Sequence, residues 1–439
     1  MTTTEQDVHE DVRPGRQRLA VALAVGVTVP ALVLRTTGGH LPDPALALLF
    51  GIAIVGAAFL LSWGAEVAQL DISAGLTIAV LAFIAVLPEY AVDLVFAIKG
   101  GNAYEQTGRA CLAPTGGESP CSLALANMTG SNRLLIGIGW SAVGFIAYRQ
   151  WKKRGNREKG RQIRLERSHS VELAFLTVAT VFSLTLPLKH SITLFDSAVL
   201  VAIFVAYTVR ISRAPAEEPH LVGPARWIGG FGVRNRRLTV VVLFAFAAAV
   251  ILLSAEHFAE ALVGAGRSLG ISEFLLVQWL APLASEAPEL LVACLYAWRL
   301  NTNAGLGTLV SSKVNQWTLL VGTLPIAFAL ASGGLHGLPI VGTQREELFL
   351  TAAQSAFAIA VLCNLSMSVR EAGMLLGLFL AQFLLGAIGP GHIHDEVRIL
   401  TAVVYMVLAV VTFARQRRPA GALLRDGLRT PYASMAGDG

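Results

Sequence analysis

The chain is short of charge. Only 14% of its 439 residues are Asp, Glu, Lys or Arg, while 54% are hydrophobic and the mean hydropathy is +0.61. A soluble domain carries about 25% charged residues, so the composition excludes a water-soluble globular protein and predicts an all-α polytopic membrane protein. Cysteine is also scarce. Four residues are too few for a disulfide scaffold. Several motifs are missing as well. Without Gly-x-x-x-x-Gly-Lys-Ser/Thr there is no sign of ATP-driven work, and without His-Glu-x-x-His or a Ser/His/Asp set there is none of hydrolytic chemistry. The net charge of +5 comes with no nucleic-acid motif and is read as a bias of the loops. No small-residue cleavage pattern follows the first apolar run, so a cleaved signal is not expected. The expected partner is the lipid bilayer, with no nucleic acid and no cofactor.

Long apolar runs are abundant. A membrane helix needs roughly 20 such residues, and about 12 runs qualify. They lie near 18–34, 44–62, 73–98, 123–147, 170–188, 191–209, 238–262, 272–298, 303–330, 347–368, 371–387 and 397–415. The short connections at Lys189-His190 and Arg370-Glu371 predict two helical hairpins. Basic residues crowd Arg149–Arg167, Arg210–Arg237 and Arg415–Arg418, and even numbers of runs separate these segments. The positive-inside rule then places all three, and both termini, in the cytoplasm of a cell membrane. The expected division is a cytoplasmic segment 1–17, a first membrane repeat 18–209 with an extra N-terminal helix, and a basic linker 210–237. A second repeat 238–387, an extra helix 388–415 and a tail 416–439 complete it.

What stands out inside the apolar runs is acid beside proline. Pro88-Glu89 and Pro288-Glu289 recur 200 residues apart, with Ile72-Ser73 and Ile271-Ser272 before them and Glu286 added in the second copy. Proline removes a helix hydrogen bond and frees a carbonyl, and an acid at membrane depth needs a cavity or a partner. Kinked helices offering carboxylate and carbonyl oxygens suit a hard cation. The expected topology makes the two helices antiparallel, the pattern of inverted-repeat transporters with a midplane site. A polar-studded run follows each: Asn127-Met-Thr-Gly-Ser-Asn132, and Ser311-Ser-Lys-Val-Asn-Gln316 with Thr308 and Thr318 beside it. Small and hydroxyl residues also serve helix packing, whereas Asn132, Lys313 and Gln316 are bulky as well as polar.

These residues resemble the cation/calcium antiporter superfamily, in its sodium/calcium exchanger branch. That family pairs a Gly-Thr-Ser-x-Pro-Glu helix with a Gly-Ser-Asn-x-x-Asn helix in each of two inverted repeats. The match is Ala85–Glu89 with Gly130-Ser-Asn132, then Ser285–Glu289 with Ser311-Ser-Lys313, and Leu262–Ser272 is also family-like. The resemblance implies five core helices per repeat and a central ion site. It makes Glu89 and Glu289 the shared carboxylates, with Ser131 and Ser312 at the serine positions and Ser285 at that of a threonine. Glu286 and Gln316 complete the candidate ligands.

The sequence departs from the family at several places. Ala85 and Val86 replace a hydroxyl pair, Leu135 and Gln316 stand where the family has Asn or Asp, Glu286 replaces a serine, and Lys313 replaces an asparagine. Lys313 is either a built-in counter-ion favouring proton or monovalent coupling over calcium, or a structural or snorkelling lysine. Asp93 and Asn132 are candidates for the pathway. A 19-residue insertion in the first half falls in 100–122 and holds Cys111 and Cys121, expected to pair on the oxidising face. Glu256, His257 and Glu260, and the run His392-Ile-His394-Asp-Glu396, read as solvated groups rather than sites. The expected activity is secondary cation antiport by alternating access, of sodium or calcium against sodium or protons. A cation channel and a non-transporting intramembrane enzyme are the alternatives.

Overall fold

The computed structural model describes residues 14–71, 87–108, 111–112, 117–156, 158, 161–214, 221–388 and 394–435. Ile72, Ser73, Ala85, Val86 and His392 lie outside them.

With no water in the hydrocarbon core, each chain segment must satisfy its own backbone, and a helix does so internally. The structure is accordingly built of helices: α1 (Pro14–Gly26), α2 (Val29–Thr37), α3 (Asp43–Ala68), α4 (Leu87–Thr107), α5 (Pro120–Leu134), α6 (Ser141–Lys153), α7 (Ser170–Ser183), α8 (Leu194–Ile211), α9 (Pro224–Gly229) and α10 (Val233–Leu269) in the first part. α11 (Glu273–Trp298), α12 (Thr302–Asn315), α13 (Val321–Ala331), α14 (Gln344–Leu362), α15 (Val369–Ile388), α16 (His394–Arg415) and α17 (Arg417–Leu428) follow. Among the described residues, nine helical stretches are long and apolar enough to cross a membrane. α4, the α5–α6 stretch and α14 fall short of that measure. They carry polar groups at depth, such as Glu89 and Asp93, Asn132 and Arg133, and Glu347.

Local signals set the ends. Thr193 and Asp196 form a reciprocal capping box at the start of α8. Ser272 and Asn301 cap α11 and α12 by accepting the backbone N–H of Leu275 and Ala304. Gly270, at φ +66°, stops the 37-residue α10. Of the two expected hairpins the first forms, as α7–α8, but the second does not: α14 packs along α16, while α15 packs against α6.

Two short antiparallel ladders mark the ends of the bundle. β1 (Gln162–Arg164), in the basic loop, pairs with β4 (Ser366–Ser368) before α15. β2 (Ser191–Ile192) pairs with β3 (Leu338–Pro339). Alternating spans require each pair of loops to share an end, and they do. At the β2–β3 end Cys111 and Cys121 form a disulfide. The Glu118 N–H there donates to Glu273 at the start of α11. α4 therefore ends where α11 begins, so the two Pro-Glu helices run in opposite directions.

α11 continues through both Pro282 and Pro288. The backbone irregularity lies one helix later. A π-helical turn follows α5 at Leu135–Trp140, and another follows α12 at Gln316–Leu320. Each begins four residues after the matched serine, Ser131 or Ser312. π turns are rare and concentrate at functional sites.

Candidate cation site

Four helices meet at the centre. α5 crosses α11 so closely at Gly130 that a Cβ there would lie 1.7 Å from the Gln278 carbonyl oxygen. This glycine is needed for the approach, which brings Ser131 near the carboxylates of α4 and α11. The π turn after α12 turns Gln316 inward, where its amide donates to Glu286 Oε1 (2.6 Å) and to Glu89 Oε2 (3.3 Å). One side chain thus bridges carboxylates from the two halves of the sequence. Glu89, Glu286 and Gln316 are 4%, 1% and 0% exposed.

Glu289 is placed differently. It is half-buried, accepts a hydrogen bond from Ser312 Oγ (3.0 Å), and lines a cavity of about 740 Å³. Ser285, Ser312 and Asn315 share the deep end of that cavity, while Glu66, Glu166, His169 and Asn303 lie toward its mouth at the β1–β4 end. Glu286 is within electrostatic range of both Glu89 and Glu289. The Ser285 hydroxyl donates to its own helix, at the Ala281 and Pro282 carbonyls. Ser131 Oγ lies near Glu89 and Glu286 without a well-formed hydrogen bond to either.

Buried polar atoms without partners are rare and call for an explanation, an ion among them. Here Glu89 Oε1, Glu286 Oε2, Gln316 Oε1, Ser131 Oγ and Asn315 Oδ1 are all of this kind. They are hard oxygens, the donor set of a calcium or sodium ion. Among the described residues no three His, Cys, Asp or Glu side chains form a metal-holding group.

Lys313 is fully buried, and its ammonium is held by Asn132. Nζ donates to the Asn132 backbone oxygen and to Asn132 Oδ1, both at 2.6 Å, and faces the Trp317 ring at 5.5 Å. Its electrostatic partners are Glu286 and Glu89. Asp93 accepts from Asn127 (2.6 Å), beside rather than within the Gln316 bridge. Glu260 pairs with Lys99 at an exposed position.

A second buried cluster, not anticipated from the sequence, surrounds Arg133. Arg133, 0% exposed, meets Glu347 at 2.5 Å, and Arg398 and Gln278 also donate to Glu347. The Arg133 guanidinium stacks on Trp279 at 4.9 Å. An arginine directly after Gly130-Ser-Asn132, inside an apolar run, was the available signal. Glu66 and Glu172, which line the cavity, were also missed because each sits near the end of a run, where acids are unremarkable.

Comparison with known proteins agrees with this geometry. The family model described as sodium/calcium exchanger protein matches residues 43–212 and 239–389, more than half the chain. The chain belongs to that family. A solved H+/Ca2+ exchanger, CAX, is 40% identical with a TM-score of 0.84, over 94% of this chain and 98% of that one. A Ca2+/H+ antiporter protein, YfkE, is 14% identical with a TM-score of 0.56, over 89% and 99%, and shares the fold. The comparison with curated proteins gave no match. Family and fold make the chain a multi-pass cation/calcium antiporter, a secondary transporter and not an enzyme.

Proposed function

We propose that the chain exchanges calcium against protons by alternating access. Glu89, Glu286 and Glu289 are the carboxylates that take cation and proton in turn. The observation that carries this is the Gln316 bridge between acids of two antiparallel helices, with unpartnered oxygens around it, beside a cavity that reaches Glu289 from one end. The name of the CAX relative supports protons and calcium as the pair. Ser285, Ser131, Ser312 and Gln316 complete the ligand set, and Lys313, Asn132 and Asp93 shape the pathway. The halves 18–209 and 238–387 act as inverted repeats about the linker 210–237. Segments 1–17 and 416–439 face the cytoplasm of the cell membrane, and the helix in 388–415 is an addition to the second repeat. With the basic loops inside, the cavity opens to the cytoplasm.

The test is flux in proteoliposomes under sodium, potassium, calcium and proton gradients. Counter-ion-dependent calcium flux is expected. Uncoupled current would mean a channel. Glu89→Gln and Glu289→Gln should each abolish exchange while the protein still inserts. Near-normal flux in either variant would remove that residue from the site.

A further inference from the structure

We infer that α17 is a docking surface for anionic phospholipid headgroups. One residue, Gln416, separates it from α16, whose segment Glu396–Arg415 is apolar and long enough to span. α17 therefore starts at the edge of the bilayer.

Its inner face is fastened to the protein and fixes how the helix is turned. Asp426, the only acid between Arg415 and Met435, points inward and accepts from Arg167 Nε at 2.8 Å. Gly427 lies so close to α7 that a Cβ would come within 2.2 Å of the Ser170 carbonyl oxygen. Arg210, at the end of α8, donates to the carbonyls of Gly427 (3.1 Å), Asp426 (3.4 Å) and Thr430, and its guanidinium faces the Tyr432 ring. Leu423 fills the remaining contact.

The outer face is then mostly basic, with Pro419, Gly421 and Leu428 exposed beside the arginines. Arg415, Arg417, Arg418, Arg425 and Arg429 are exposed. Of these, Arg425 reaches Asp426 at 3.5 Å. Arg417, Arg418 and Arg429 meet no carboxylate among the described residues. A guanidinium fork matches a phosphate in bidentate geometry, and a basic juxtamembrane helix is drawn to an anionic leaflet. Charge complementarity and position together select lipid phosphate over a soluble anion. The docked helix braces the Arg167–Glu172 segment, of which His169 and Glu172 line the cavity, so lipid held on α17 would steady one wall of the mouth.

The experiment uses the full chain in nanodiscs of phosphatidylcholine alone or mixed with phosphatidylglycerol. Retained lipid is counted by native mass spectrometry and thermal unfolding is followed in parallel. The wild type should retain phosphatidylglycerol and unfold at higher temperature in the mixture, and high salt should erase both effects. The triple variant Arg417→Gln/Arg418→Gln/Arg429→Gln should lose on the order of 100-fold of its preference for the anionic lipid. The corresponding Arg→Lys triple variant keeps the charge without the bidentate fork and should fall between the wild type and the Gln variant. A wild type indifferent to phosphatidylglycerol overturns the inference. So does a Gln variant that retains the lipid as the wild type does, which would move the binding to another basic segment such as 149–167. Neither measurement involves ion flux, so the outcome is independent of which ions are exchanged.

Discussion

Replacing Lys313 by Asn exchanges a buried ammonium for the amide that the family resemblance implies at this position. The ammonium makes two short hydrogen bonds, to the backbone and side-chain oxygens of Asn132. Hydrogen bonds to a charged group contribute about 1.5–3 kcal/mol each. Burying an unpaired ammonium costs several kcal/mol in return, so the two effects nearly cancel. The thermal midpoint of the variant should therefore move little. The ion should notice far more. An ammonium about 6 Å from a carboxylate attracts it by ~3 kcal/mol at an effective dielectric of 20, and that attraction competes with any cation at Glu286 and Glu89. Its loss also frees Asn132 Oδ1 as a ligand. At 1.4 kcal/mol per tenfold, calcium affinity should rise by on the order of 100-fold at most. The assay is calcium uptake into proteoliposomes across a calcium series at several pH values. Half-saturation should fall to lower calcium and the pH profile should shift. Lys313→Met, which removes the charge but supplies no oxygen ligand, should give a smaller gain. If Lys313→Asn keeps the wild-type ion preference and pH dependence, Lys313 is a brace for Asn132 and its proposed influence on the ion is wrong.

Glu347→Gln should destabilise the fold by about 3–5 kcal/mol, because it leaves the buried Arg133 facing a neutral amide. The double variant Arg133→Met/Glu347→Leu should recover much of this in thermal unfolding, and a double variant no better than the single would show that the pair is not the cause. At the other end of the bundle Asp71 accepts from Arg236 at 2.7 and 2.9 Å and from Arg237 at 3.1 Å, tying α3 to α10. Those bonds, that to Arg236 first, hold its carboxyl below the usual range. A lowered carboxylate stabilises fully above its unfolded value near ~4, and that contribution is lost as pH falls through the folded value. Acid unfolding of Asp71→Asn should accordingly be flatter below about pH 4 than that of the wild type, and identical profiles would count against the clamp.

Much of the fold was legible because the bilayer leaves few options. Lipid forces helices of a minimum length, so the apolar runs, the first hairpin and the opposed direction of the Pro-Glu helices followed from composition and charge. The central acids were legible for a related reason, since Glu89, Glu286 and Glu289 are too costly at depth to be incidental. Side-chain partners were not. Lys313 could reach Glu286 or Asn132 equally well from a sequence, and only the crossing of α12 with α5 decides for Asn132. The π turns left no trace in residue type, because an inserted residue changes the phase of a helix and not its composition.

The two halves of the site are alike in sequence but differ in local state, and that difference supports alternation more than the likeness does. Inverted copies in identical conformations would place identical surroundings about both acids, and a cavity reaching one would be matched by a cavity reaching the other from the opposite end. Instead Glu289 is half-buried at the cavity wall and bonded to Ser312. Glu89, its counterpart, is 4% exposed, and the matching Ser131 makes no hydrogen bond. On the far side of Glu89 the buried Arg133–Glu347 pair and Gln278 fill the space between α5, α11 and α14. Under the alternating access proposed above, an ion leaving by that side would need the Arg133–Glu347 contact to part, and Gln316 would couple the halves, because it holds Glu89 of one to Glu286 of the other.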